Sequence, residues 1–389
     1  MELVTISPSI QYIGVDDKTI DLFESQYIVP HGISYNSYVI LDEKIAVMDT
    51  VDARATGPWL KNLADVLGDR KPDYLVVSHM EPDHASNIQT LAEKYPDMKI
   101  VASAKALSMI PQFFTFDISD RSIVAKEGET LSLGQHTLQF FMAPMVHWPE
   151  VMVSYEQHEK VLFSADGFGK FGALDAEEDW DCEARRYYFN IVGKYGMQVQ
   201  ALLKKAATLD IQTICPLHGP ILKENLGHYI GKYDVWSSYQ PEDEGVFIAY
   251  ASIHGHTAQA AKKLAHILEE KGAKKVVLAD LCRSDLAECV EDAFRYSHLV
   301  LASASYDAGL FPPMEAFLHK LRAKAYQNRV VALVENGSWA SSAGKCMKAI
   351  LEPMKNLRMV EPLVSIRSSL KPETEAQLET LADNLLAAK

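Results

Sequence analysis

The stretch Ser78-His79-Met80-Glu81-Pro82-Asp83-His84 sets four metal-ligating side chains close together, directly after the apolar run Tyr74-Leu75-Val76-Val77. At a strand end, side chains at i and i+2 project to one side, so His79 and Glu81 can converge on one ion. Asp83 and His84, in the turn beyond, can reach a second. Three more candidates close later apolar runs: His147 in Met145-Val146-His147-Trp148-Pro149, Asp166 in Ser164-Ala165-Asp166-Gly167, and His218 in Cys215-Pro216-Leu217-His218-Gly219-Pro220. One strand-end histidine alone is more often a surface or satisfied core residue than a ligand. Four of them in this order, with three carboxylates, make a metal centre the better reading.

A second chemistry lies further along. Ser252-Ile253-His254-Gly255-His256-Thr257 separates an apolar strand from a helical pattern. Small hydroxyl residues and a glycine there form a pocket of backbone N–H groups, where the helix dipole favours a phosphate. Standing alone, the same residues read as a helix cap with Thr257 at the N-cap. His254 and His256 can add charge to such a site. Two more loops, Ala302-Ser303-Ala304-Ser305-Tyr306-Asp307-Ala308-Gly309 and Glu335-Asn336-Gly337-Ser338-Trp339-Ala340-Ser341, follow later strands at their carboxyl ends, where open α/β sheets bind ligands. By contrast, Gly167-Phe168-Gly169-Lys170-Phe171-Gly172 matches G-x-G-x-x-G but runs into Ala-Leu-Asp-Ala-Glu-Glu-Asp, not an apolar helix, and is set aside as a dinucleotide site.

The elements that carry these residues divide the chain of 389 residues. Residues 1–240 hold short β-branched runs (37–50, 71–79, 99–103, 136–144, 160–166, 211–219) with a few helices, including one over ARRYYFNIVGKY. The polar stretch 241–245 suits a linker. From Val246 to 389, near-continuous apolar strands alternate with helical patterns at 257–272 and 312–325, the pattern of a doubly wound parallel sheet. A net charge of -14 argues against a nucleic-acid partner. No run approaches the ~18 apolar residues of a membrane span, and the N-terminus lacks a signal-peptide pattern, so the expected location is the cytoplasm. The five scattered cysteines contain no C-x-x-C and fit a reducing compartment.

The order H-x-E-x-D-H followed by H, D and H resembles the metallo-β-lactamase fold, an αββα sandwich with its ligands along one edge. Glu81, where most hydrolases of that fold have histidine, resembles the flavodiiron proteins (A-type flavoproteins). The S-x-x-G-x-T pattern and the two later loops are similar to those with which flavodoxins hold FMN. The resemblance implies an αββα sandwich followed by a flavodoxin-like domain, with two iron ions: His79, Glu81 and His147 on one, Asp83, His84 and His218 on the other, and Asp166 bridging. It implies FMN held by Ser252, His254, Gly255, His256 and Thr257 at the phosphate. Ser303, Ser305, Tyr306, Asp307, Gly309, Asn336, Gly337 and Trp339 would surround the ring, with Tyr306 or Trp339 stacked on it. The ligand chemistry agrees, because carboxylates and imidazoles suit iron better than a thiolate-loving ion. Two divalent ions, three carboxylates and one bridging hydroxide also sum to a neutral buried cluster.

The activity so implied is reduction of O2 to water, or of NO to N2O, with electrons from FMN. The resemblance further implies a head-to-tail homodimer or a dimer of dimers, Trp148 near the partner's flavin, and Tyr195 near the iron pocket. With no paired C-x-x-C motifs for a rubredoxin-like iron site, the expected electron donor is a separate rubredoxin-like protein or reduced cofactor. Two rivals remain at this point: a zinc hydrolase with a flavodoxin-like appendage, and a flavodoxin-like electron carrier with an inert sandwich.

Overall fold

The computed structural model describes residues 5–388. They form two compact units, one running through Tyr188 and including Met197–Asp234, the other made of Phe189–Gly196 and the chain from Val235 onward.

In the first unit the β-branched runs build two sheets. Strands Ile10–Tyr12, Tyr38–Ile40, Ala46–Met48, Tyr74–Val77, Lys99–Ser103 and Ser122–Ala125 lie side by side in that order, the first three antiparallel and the rest parallel. Strands Thr130–Ser132, Thr137–Met142, Met152–Glu156, Val161–Phe163 and Thr213–Cys215 form the second sheet. The run at 37–50 is two strands, because Asp42 and Glu43 turn the chain between them. Tyr38, Ile40, Met48, Val76 and Val101 from one sheet meet Leu138, Phe140, Met152, Val161 and Phe163 from the other in one buried core. The alternation of apolar residues thus stacks the sheets face to face.

The turn at Asp42 also ties the sheets together. Asp42 Oδ2 accepts hydrogen bonds from the backbone N–H (2.6 Å) and Nδ1 (2.7 Å) of His136, whose Nε2 lies 3.1 Å from Glu159. Burial pushes the Asp42 carboxyl up, but the His136 bonds outweigh it and hold its pKa at about 2. Burial pushes His136 down, and Glu159 and Asp42 outweigh that to raise it. A lowered acid stabilises the fold above its unfolded pKa and loses this as pH falls. A raised histidine stabilises below its unfolded pKa and loses this as pH rises. The pair therefore contributes most between about pH 4 and pH 6.5. Asp42→Asn is expected to cost about 2 kcal/mol at pH 5 and progressively less toward pH 3 and pH 9. Urea unfolding across that range checks it; a pH-independent difference would refute the pairing.

The second unit is a parallel sheet in the order Val276–Asp280, Asp243–Ala251, Tyr296–Tyr306, Arg329–Asn336, Leu357–Ile366. By chain order this is 2-1-3-4-5, the flavodoxin-like arrangement, whose switch point lies between the first and third strands. The first strand begins at Asp243, inside the expected linker, and shifts register between Asp243 and Val246. Helices His256–Glu270 and Pro372–Ala387 cover one face, with Leu264, Leu268, Leu378, Leu381 and Leu385 packed on Ile248, Val300 and Val334. Among the described residues, no helix is long and apolar enough to cross a membrane.

Candidate functional site

Each predicted metal ligand sits just beyond a strand of the first unit. His79 follows Tyr74–Val77, His147 follows Thr137–Met142, Asp166 follows Val161–Phe163 and His218 follows Thr213–Cys215. Pro82 stops the extended chain and opens the short helix Pro82–Ala85, which carries Asp83 and His84. The seven residues gather into two sets able to hold a metal ion: His79, Glu81, His147 and Asp166, and Asp83, His84 and His218.

In the first set, Glu81 Oε2 lies 3.2 Å from His79 Nε2 and 3.0 Å from His147 Nε2. Asp166 Oδ2 lies 3.3 and 3.1 Å from the same two nitrogens. In the second set, Asp83 Oδ2 is 3.3 Å from His84 Nε2 and 3.2 Å from His218 Nε2. Asp166 Oδ1 faces these two nitrogens at 3.3 and 3.9 Å. The two oxygens of one carboxylate thus address two separate donor sets, as a bridging ligand does.

The lone pairs show that this cluster is built for cations. His218 Nδ1 donates to Ser34 O (2.7 Å), which leaves its Nε2 a lone pair 3.0 Å from His84 Nε2. His79 Nδ1 donates to Glu150 Oε1 (2.8 Å), which leaves its Nε2 facing carboxylate oxygens. Acceptors facing acceptors in a buried site repel unless a cation stands between them. Buried Asp166 Oδ1 and both oxygens of Asp83 have no hydrogen-bond partner among the described residues, a cost that a metal ion removes. With only protons to balance the charges, burial pushes the imidazoles down, but the carboxylates prevail. Asp166 raises His79, Asp83 and Asp166 raise His84, and Asp166 and Glu81 bring His147 up to about 9. Burial pushes Glu81 and Asp166 up, yet the imidazoles hold both below the usual carboxylate range.

Sequence reasoning missed the residues that orient the candidate ligands. Glu150 is buried and accepts both His79 Nδ1 and Met80 N–H at 2.8 Å. A lone carboxylate at the start of the apolar run Val151-Met152-Val153 was the available signal. Asn36 donates to Pro216 O and Gly219 O, both at 2.8 Å, and pins the loop that carries His218. Phe23 packs edge-on against His218 at 5.3 Å. The next two residues, Glu24 and Ser25, turn the hairpin with φ of 48° and 55°, a conformation for which Asn-Gly is the usual signal. Outer partners of this kind typically govern metal affinity by about 10- to 100-fold. Glu150→Gln keeps an acceptor but removes the charge that holds His79, so iron retention against a chelator is expected to weaken by about that factor. Unchanged retention would show Glu150 to be packing only.

Trp148 is half-buried, its ring edge-on to His79 at 5.3 Å and to His147 at 6.3 Å. The expected helix around ARRYYFNIVGKY is Trp180–Tyr187, which widens into a turn with i→i+5 bonding at Tyr188–Val192. Tyr195 closes the short turn Gly193–Tyr195, in the segment that packs with the second unit.

In the second unit, the Ser252–Thr257 loop follows the strand Asp243–Ala251. The expected loop at 302–309 is instead mostly strand: Tyr296–Tyr306 runs through Tyr306 and turns only at Asp307 and Ala308. These two strands flank the switch point. Gly255 is the N-cap of helix His256–Glu270 at φ 91°, with open space where a Cβ would stand, and its N–H donates to Ser252 Oγ (3.1 Å). His254 and His256 are exposed and Thr257 is buried. Ser305 Oγ accepts from the N–H groups of Ser342 (2.9 Å) and Ala343 (3.1 Å), which joins the end of strand Tyr296–Tyr306 to the start of helix Ala343–Leu351. Ser303 is buried, and Asp307 turns the chain between Tyr306 and Gly309. Asn336 clamps Ser368, and Gly337 N–H donates to Ile366 O. Tyr306 and Trp339 are 46% and 94% exposed, a large aromatic surface left at the carboxyl edge of the sheet.

The family described as ODP family beta lactamase matches residues 33–219. Rubredoxin-oxygen oxidoreductase of Megalodesulfovibrio gigas is 28% identical, over 100% of this chain and 98% of its own. The solved structure of rubredoxin oxygen:oxidoreductase from Desulfovibrio gigas superposes with a TM-score of 0.91 over 99% of this chain and 98% of that one, at 28% identity. The homologues and structural neighbours of this chain are flavodiiron proteins. A nitric oxide reductase of Moorella thermoacetica is 28% identical over 92% of each chain. A flavo di-iron protein from Thermotoga maritima, at 24% identity and a TM-score of 0.90 over 99% of this chain and 97% of that one, shares the fold. The flavodiiron fold accounts for both halves: the αββα sandwich that carries Glu81 and the 2-1-3-4-5 sheet.

Proposed function

We propose that this protein is a flavodiiron oxidoreductase that reduces O2 to water, NO to N2O, or both, at a non-haem di-iron site supplied with electrons by FMN. The observation that carries the reading is Asp166, whose two carboxylate oxygens face two separate sets of imidazole and carboxylate donors. His79, Glu81 and His147 would hold one iron, Asp83, His84 and His218 the other, and Asp166 both. The segments Ser252–Thr257, Ser303–Gly309 and Asn336–Trp339 would hold FMN at the switch point. When bound, reduced FMN and two ferrous ions supply four electrons, the number that O2 needs to reach water and more than the two that a pair of NO needs to reach N2O and water.

The chain's own residues do the positioning. Glu150 and Ser34 O fix the tautomers of His79 and His218, so that both Nε2 lone pairs point into the cluster. Trp148 shields the edge of His79 and His147 from water. Asp49, pushed up to about 6 by burial, accepts from Ser78 N–H (2.6 Å) and steadies the turn that begins the ligand run.

A separate rubredoxin-type protein or reduced cofactor would deliver the electrons. A head-to-tail homodimer, or a dimer of dimers, would set Trp148 and the FMN of different subunits near each other, with Tyr195 hydrogen-bonding bound gas, in the cytoplasm. Iron, zinc and flavin analysis of the purified protein tests the cofactor assignment. Two irons and one FMN per chain are expected; two zincs with no flavin absorbance would point to a hydrolase instead.

A further inference from the structure

We infer that the apolar crevice between the helix Gly196–Ala206 and the second sheet of the first unit is a binding site for one small apolar gas molecule, a holding place for the substrate of the metal cluster. The inference rests on the reading of that cluster as a gas-reducing centre. The crevice has a volume of about 20 Å3, against the roughly 10–15 Å3 that one water-sized molecule requires, so it takes a single diatomic.

Its walls present no polar surface. The polar tips among the lining residues are turned elsewhere: Ser164 Oγ donates to Gly167 O (2.7 Å), and Lys205 Nζ reaches Met142 O (2.9 Å) and Glu127 Oε1 (2.8 Å). Tyr233 OH accepts Phe168 N–H at 2.6 Å. Water needs about two to four polar partners to stay in a cavity, whereas dry apolar cavities take up xenon and other apolar guests. The crevice therefore favours O2 or NO over water.

Position separates this crevice from an ordinary packing gap. Its outer lip, Leu202, Leu203 and Leu209, is half-buried, whereas its inner end, Val146, Gly167 and Phe168, is fully buried. Val146 directly precedes His147, and Gly167 directly follows Asp166. An apolar path from a half-open surface thus ends on the backbone that carries one terminal ligand and the bridging one. A gas that partitions into it is concentrated beside the cluster while water is kept out.

Xenon is the probe. In crystals of the iron- and FMN-loaded protein pressurised with xenon, one atom is expected between Leu203 and Phe168. Leu203→Trp fills the lip; it is expected to abolish that xenon site and to lower kcat/KM for the gas about tenfold, which is about 1.4 kcal/mol. The turnover at saturating gas, the iron and flavin contents and the melting temperature should stay unchanged. Leu203→Phe, a smaller fill, should give an intermediate loss. No xenon in the crevice overturns the site, and so does a tryptophan variant that excludes xenon yet keeps its kcat/KM. Xenon bound in a loaded protein that reduces neither gas would uphold the binding site and refute the gas-reductase reading instead.

Discussion

Asp166→Ala should remove gas reduction almost completely, by at least about a thousandfold, and should leave the chain unable to retain a full pair of irons. Both carboxylate oxygens act, Oδ2 among His79, Glu81 and His147 and Oδ1 beside His84, so the deletion opens both sites at once. It also unbalances the charge. With Asp166 gone, Glu81 and Asp83 alone face four imidazoles, and two divalent ions would be left with uncompensated charge in a buried site. Asp166→Glu separates geometry from charge: it keeps the carboxylate but pushes it into a packed cluster, and should restore some iron but little turnover. Elemental analysis and gas consumption on the same preparations decide the matter. Full activity in Asp166→Ala would leave the sandwich as scaffold and the flavodoxin-like half as the only working part.

Arg329→Met is expected to have the largest effect on stability. The guanidinium is buried and reaches five backbone carbonyls: Tyr296 (2.9 Å), Tyr239 (2.7 Å), Gln327 (3.0 Å), Asn328 (3.1 Å) and Phe294. Burial pushes its pKa down to about 10, so the charge persists at neutral pH. One side chain thus ties the approach to the first strand, the end of helix Leu286–Arg295 and the turn before Arg329–Asn336. Methionine fills similar volume but leaves those carbonyls unpaired, at a cost of about 3–5 kcal/mol. The melting temperature should fall by roughly 10 °C, with earlier release of FMN on heating. Lysine, with three donors for five acceptors, should recover only part of the loss. An unchanged melting temperature would show that water replaces the guanidinium without penalty.

The residues of the two candidate metal-binding sets were legible because each combines a reactive residue type with the end of a β-branched run. Strands Lys99–Ser103 and Thr137–Met142 fall inside the runs that announced them, since side-chain alternation is a local property. The doubly wound second unit was legible for the same reason, its apolar strands being covered on both faces. Glu150, Asn36 and Ser34 were not, because their importance depends on partners far away in sequence: Glu150 meets His79, and Asn36 meets Pro216 and Gly219. Arg329 was equally silent, since an arginine opening a strand looks like any exposed cation until five carbonyls converge on it. The pairing of one aspartate oxygen with each donor set is likewise a matter of tertiary geometry, which spacing alone does not encode.

The most direct test of the account is anaerobic reduction of the iron- and FMN-loaded protein, followed by mixing with O2 or with NO and quantification of the products. A fully reduced chain is expected to consume about one O2 without releasing peroxide, or to convert NO to N2O, with reoxidation of the flavin in the same reaction. A loaded, fully reduced protein that leaves both gases untouched, or that returns O2 as stoichiometric hydrogen peroxide, would contradict it.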